Sequence, residues 1–161
     1  MKPSLTWTKG VFNNLHKIYS DGNLIGEIKE KALSQSAKGS IRGREYLFRT
    51  HGYFNQKTEI IDRTDNQVVG EIQFNSWKSK ATIALNGKII NWKYDNLWNT
   101  QWSLSDSDGT VMKFNSSITK GQIDAGQDDE LLVLTGLFVK NYYMQTAFFV
   151  FFIAVIIPVL T

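Results

Sequence analysis

Residues able to hold a metal, move a proton or attack a bond are sparse in this chain. It has two histidines, His16 and His51, and no cysteine. The histidines lie far apart, not at the short spacings that bring two imidazoles onto one ion. Without a thiol there are no disulfides, no cysteine nucleophile and no cysteine-ligated metal. Neither a Gly-x-Ser-x-Gly elbow nor a phosphate-cradling loop is present. Asp106-Ser107-Asp108-Gly109 begins like a calcium loop, yet its twelfth position is Ser117, where a bidentate glutamate is required. It reads as a turn. Asp128-Asp129-Glu130 precedes an apolar run, where carboxylates favour the positive end of a helix macrodipole. The expectation is therefore a protein that is not an enzyme and uses no metal or cofactor.

Cation chemistry is what remains. The chain carries a net charge of only +3, but residues 38–93 hold ten Lys or Arg against five Asp or Glu. Such an excess suits an anionic surface, and Arg42, Arg44, Arg49, Lys78 and Lys80 are the candidates for phospholipid headgroups. They flank the turns at Gly43 and at Trp77-Lys78-Ser79. The same charges would serve equally as a solubilising surface. Trp77, Trp92, Trp98 and Trp102 stand among these cations, as in surfaces that stack single-stranded bases. Trp92 and Trp102 fall on alternating strand positions that point inward, so core packing explains them and no nucleic acid is expected.

The elements that must position these residues are strands. Asp21-Gly22, Asn86-Gly87 and Asp108-Gly109 are hairpin turns set between alternating apolar runs, and further turns fall at Gly43 and Thr64-Asp65-Asn66. Ten to twelve short strands with turns every ten or so residues predict an antiparallel barrel or sandwich. The pattern also repeats. Residues 18–28 match 61–72, a weaker copy spans 104–114, and Gly26 and Gly70 fall at equivalent places. Both glycines lie on the inward face of a strand. They are expected to make room for a helix inside the barrel, with a β-bulge at each site as the alternative.

That helix is the C-terminal stretch. Residues 131–139, including Leu131, Leu134 and Phe138, are apolar on all sides and belong in a core. Lys140-Asn141 then interrupts, and 142–160 runs nineteen residues with Gln145 and Thr146 as polar breaks. At the helical rise those nineteen cover about 29 Å, close to the hydrocarbon thickness of a bilayer. A single long core helix is the alternative. The expected organisation is a lead-in over 1–15, a barrel over 16–141 whose helix starts near 129, and a transmembrane tail over 142–161. Tyr142 and Tyr143 would form an interfacial belt, with Lys140 on the inner side. No signal peptide is read at the N-terminus. The protein is thus expected at a membrane, anchored by its C-terminus with the barrel facing the cytoplasm.

The hairpins of the form turn-Leu-Ile-Gly-Glu-Ile and turn-Val-Val-Gly-Glu-Ile, the dozen strands and the C-terminal apolar helix together resemble the tubby C-terminal-like superfamily. That group includes LURP-one-related and phospholipid-scramblase-like proteins. The resemblance covers about residues 16–145 and implies a closed barrel of about twelve strands threaded by a hydrophobic helix. Family members bind phosphoinositides or sit at membranes, which implies membrane phospholipid or a partner protein as the thing bound. The tubby phosphoinositide-binding basic motif and the scramblase palmitoylation cysteines have no counterpart in this chain, so no functional residue transfers. A soluble barrel carrying an apolar ligand, or its own helix, in the lumen is the competing expectation.

Overall fold

A computed structural model describes residues 2–31, 34–53, 55–126 and 129–160. Twelve strands follow in order: β1 (Leu5–Lys9), β2 (Leu15–Ser20), β3 (Asn23–Lys31), β4 (Ser36–Ile41), β5 (Arg44–His51), β6 (Lys57–Asp62), β7 (Gln67–Asn75), β8 (Lys80–Leu85), β9 (Lys88–Tyr94), β10 (Gln101–Asp106), β11 (Gly109–Asn115) and β12 (Lys120–Ala125). Each pairs antiparallel with its sequence neighbours, and β1 with β12, so the sheet closes as a barrel. Closure leaves no unpaired edge. Helix α1 (Glu130–Phe151) then runs through the lumen and continues through a wider-wound turn, Phe152–Ile156, to Ile157–Leu160.

The sequence repeat is a structural one. Strands β2–β5, β6–β9 and β10–β12 form three like units, each beginning with a bulged hairpin. At the bulges Ile25, Val69 and Val111 are the extra residues, because Ile18, Ile60 and Leu104 pair with Gly26, Gly70 and Met112 while the next pairs skip one position. The second hairpin of the first two units turns at Arg42-Gly43 and Asn86-Gly87 with positive φ at both residues, the geometry that matches strand twist. Within each unit one large aromatic faces a small residue across the strands: Phe48 opposite Ala37, Trp92 opposite Ala81 and Trp7 opposite Gly121. The third aromatic comes from β1. After β12 the chain enters the barrel as a helix instead of returning as a strand, and β1 supplies the missing fourth strand. The lead-in expected over 1–15, with a strand-like piece at residues 5–8, is corrected only in its place: that strand, Leu5–Lys9, is barrel wall.

The lumen is filled by α1. Residues Leu131, Leu134 and Phe138 are buried, and Phe138 stacks on Phe48 with ring centroids 4.8 Å apart. Side chains of this kind contribute about 1.5–3 kcal/mol each when fully buried. Trp92 Nε1 donates to the Gly136 carbonyl at 3.2 Å, which fixes the helix against the wall. The glycines that let helix and wall approach are Gly136, where a Cβ would collide with the Phe114 ring, and Gly39, where it would lie 3.2 Å from Leu134. Gly26 and Gly70 do something else. A Cβ on Gly70 would meet Leu85 at 2.9 Å and the Ala84 carbonyl at 3.0 Å, and one on Gly26 would meet Ser40 and Ile41, all on neighbouring strands. They serve the bulges and not the threaded helix, which corrects that expectation.

The boundary between buried and projecting helix also shifts. Helix α1 is continuous through Lys140 and Asn141 as expected, but Tyr142 and Tyr143 are buried in the barrel rather than free for an interfacial belt. From Met144 the helix emerges.

Candidate functional site: the barrel end where the helix leaves

Strands that alternate in direction give the barrel two chemically different ends. At the entry end Asp129 caps α1 by accepting from the Leu132 amide at 3.2 Å, and Glu130 pairs with Arg42. Asp128, read with them as a helix-terminal carboxylate, lies outside the described residues. At the exit end the wall holds the departing helix by hydrogen bonds. Tyr142 Oη donates to Gln56 Oε1 at 2.7 Å while its ring stacks 3.7 Å from Phe74. Tyr143 Oη donates to the Lys80 carbonyl, Gln145 donates to Glu30, and Gln35 donates to Thr146 Oγ1 at 3.1 Å.

Beneath this mouth lie buried polar groups that the repeat does not require. His16 occupies the place that Thr58 and Trp102 take in the other units, and Glu30 that of Phe74. Burial pushes the Glu30 carboxyl up to about 8, against the pull of Lys9 and of its bond from Gln145. Burial, with Lys9 and Lys140 nearby, pushes the His16 imidazole down to about 3. Both groups are thus held neutral around pH 7. Lys140 Nζ stands 5.1 Å over the Trp102 ring. Glu30 Oε1, His16 Nδ1 and Asn141 Nδ2 meet no hydrogen-bond partner among the described residues. Among the described residues no group of three His, Asp or Glu side chains is placed to hold a metal.

The headgroup candidates are not brought together. Arg42 and Arg44 stand at the entry end, paired with Glu130 and, at 2.8 Å, with Asp62. Arg49 lies on the outer wall, 2.7 Å from Glu59. Only Lys78 and Lys80 belong to the exit end.

What the sequence reading missed is the character of the exit loops. Phe12, Tyr53, Trp77, Leu97, Trp98 and Ile118 are all at least 86% exposed, and every one sits in a loop at this end. The signal was available as alternation between successive connections, polar turns at one end and apolar loops at the other. Comparison with family models, curated proteins and solved structures finds no match to this chain.

Proposed function

We propose that the protein is a non-enzymatic, membrane-anchored barrel of the tubby and scramblase-like kind that binds anionic lipid headgroups at the surface holding it. The observation that carries this reading is the projecting helix. It is long and apolar enough to cross a membrane, and only 6% of its most apolar eighteen-residue window is buried. A core helix would be covered. From Met144 to Leu160 the rise comes to about 26 Å, enough to span a bilayer core with a little thinning. The closed barrel around an apolar helix supports the family reading, because it is the architecture that the resemblance implies. The competing soluble barrel keeps only the form that carries its own helix, because α1 fills the space an apolar ligand would need.

The barrel faces the cytoplasm in this reading, since Lys78, Lys80 and the other lysines near the exit favour the side with anionic lipid. The full-length chain, expressed with its tail, is expected to stay in the membrane pellet after an alkaline carbonate wash. Barrel residues should remain open to protease added on the cytoplasmic side. Release by carbonate would overturn the anchor.

A further inference from the structure

We infer that the exit end of the barrel is itself a membrane-docking face, seated in the headgroup region so that the barrel stands flush on the bilayer instead of swinging from a tether. The inference rests on the anchored reading above and adds the surface that meets lipid. Five of the six exit connections carry a large apolar side chain among their described residues: Phe12 between β1 and β2, Tyr53 between β5 and β6, Trp77 between β7 and β8, Leu97 and Trp98 between β9 and β10, and Ile118 between β11 and β12. At the entry end the described turn residues are polar. Leu24, Val68 and Ile89, the apolar side chains exposed nearest to it, are on strands and only 56% exposed.

Charge follows the same axis. Lys9, Lys31, Lys57, Lys78, Lys80 and Lys120 stand at the exit ends of strands or in the exit loops, where Asp95 is the one exposed carboxylate among the described residues. The entry turns hold Asp21, Asp65 and Asp108, with Asp106 at the end of β10 and Asp129 capping α1, and the arginines at this end include Arg42 and Arg44, which pair with Glu130 and Asp62, and Arg63. Apolar tips with a ring of lysines just behind them match the layers of a bilayer interface, acyl boundary first and anionic headgroups second. Lone apolar side chains at the surface are ordinary; a crown of them around an emerging apolar helix is not. The helix fixes the occupant, because whatever receives residues 144–160 must also lie against the loops that surround it.

The test uses the full chain, which has no native cysteine. Phe12→Cys, Trp77→Cys and Trp98→Cys, each labelled with an environment-sensitive dye, are reconstituted into vesicles of phosphatidylcholine alone or mixed equally with phosphatidylserine. Asp65→Cys marks the entry end and Phe149→Cys the tail. The loop-tip labels are expected to emit to the blue of the Asp65 label and to be quenched severalfold more by lipids bearing a shallow nitroxide. That quenching should rise with phosphatidylserine and fall with salt. Tip labels as wet as the Asp65 label, while the Phe149 label is quenched, would overturn the docking face and leave the anchor standing. A Phe149 label that no lipid quencher reaches would overturn the anchor itself. Tip labels shielded from water but not quenched by lipid would mean that a protein, such as a second copy of this chain, covers the crown, which also overturns the proposal.

Discussion

Glu30 stands where the second unit of the barrel places Phe74, so a carboxyl has been put where that unit packs an aromatic ring. Its folded-state value near 8 lies above the ordinary 4.5, so between those limits the folded protein binds more protons than the unfolded chain. Stability from this group is full below about 4.5 and drains away as pH rises to 8. His16 works the other way. Lowered from 6.5 to about 3, it favours the folded state above that window and loses stability as pH falls through it. The two slopes oppose each other between about 4.5 and 6.5, so the wild type should be flat there and weaken on both sides. Each group alone changes stability by at most about 1.4 kcal/mol per pH unit. Glu30→Gln keeps the bond to Gln145 and removes the alkaline limb. Thermal unfolding of the full chain in detergent should show the variant matching wild type below about pH 4.5 and gaining on it steadily from there to about 8. A constant difference across that range would mean that Glu30 is not held neutral.

At the scale of elements, the strands and their turns were legible because alternation and Asp-Gly or Asn-Gly pairs are local signals. The helix was legible for the same reason: a run of apolar residues has to go somewhere dry. The packing partner of a glycine is not local. Gly26 and Gly70 look inward by alternation, yet the bulges at Ile25 and Val69 turn them toward the next strand, and bulges leave no mark that sequence separates from a regular strand. Gly136 went unread because a small residue in an apolar helix announces nothing about what it faces. Of the candidate site, the basic residues were visible but their partners were not, since Glu130, Asp62 and Glu59 reach them across strands or from the helix.

Gly136 separates two opposing effects. Alanine in a helix is favoured over glycine by about 1 kcal/mol, whereas overpacking costs about 1–3 kcal/mol. Ring carbons of Phe114 lie nearer to the added methyl than real Cβ contacts allow, and that ring is stacked 5.3 Å from Trp102, so it has little room to yield. Gly136→Ala should therefore lower stability by up to about 2 kcal/mol, the net of the two. Gly39→Ala, which meets the end of a flexible leucine, should cost less. Denaturant midpoints of the two variants decide the order, and the reverse order would place the tight contact elsewhere.

For the molecule as a whole, the two termini do opposite jobs. Strand β1 closes the barrel between β12 and β2 and brings Trp7, which is 4% exposed, into the aromatic layer shared by the three units. Removing residues 1–9 would strip two ladders, open the β2 and β12 edges, and leave Gly121 without the ring that covers it. The tail beyond Thr146 makes no comparable contribution. Tyr142 and Tyr143 are the last buried residues, and the bonds from Gln145 to Glu30 and from Gln35 to Thr146 lie within the part retained. Residues 147–160 are exposed along their length. Deleting 147–161 should leave a barrel with an unchanged β-sheet circular dichroism spectrum and a cooperative thermal transition, no longer resistant to carbonate extraction. Deleting 1–9 should abolish that transition even with the tail intact. The comparison is unequal by design, since the shorter cut is expected to do the greater damage. If the tail deletion unfolds the protein instead, residues 147–161 belong to the folded core and the anchor is wrong.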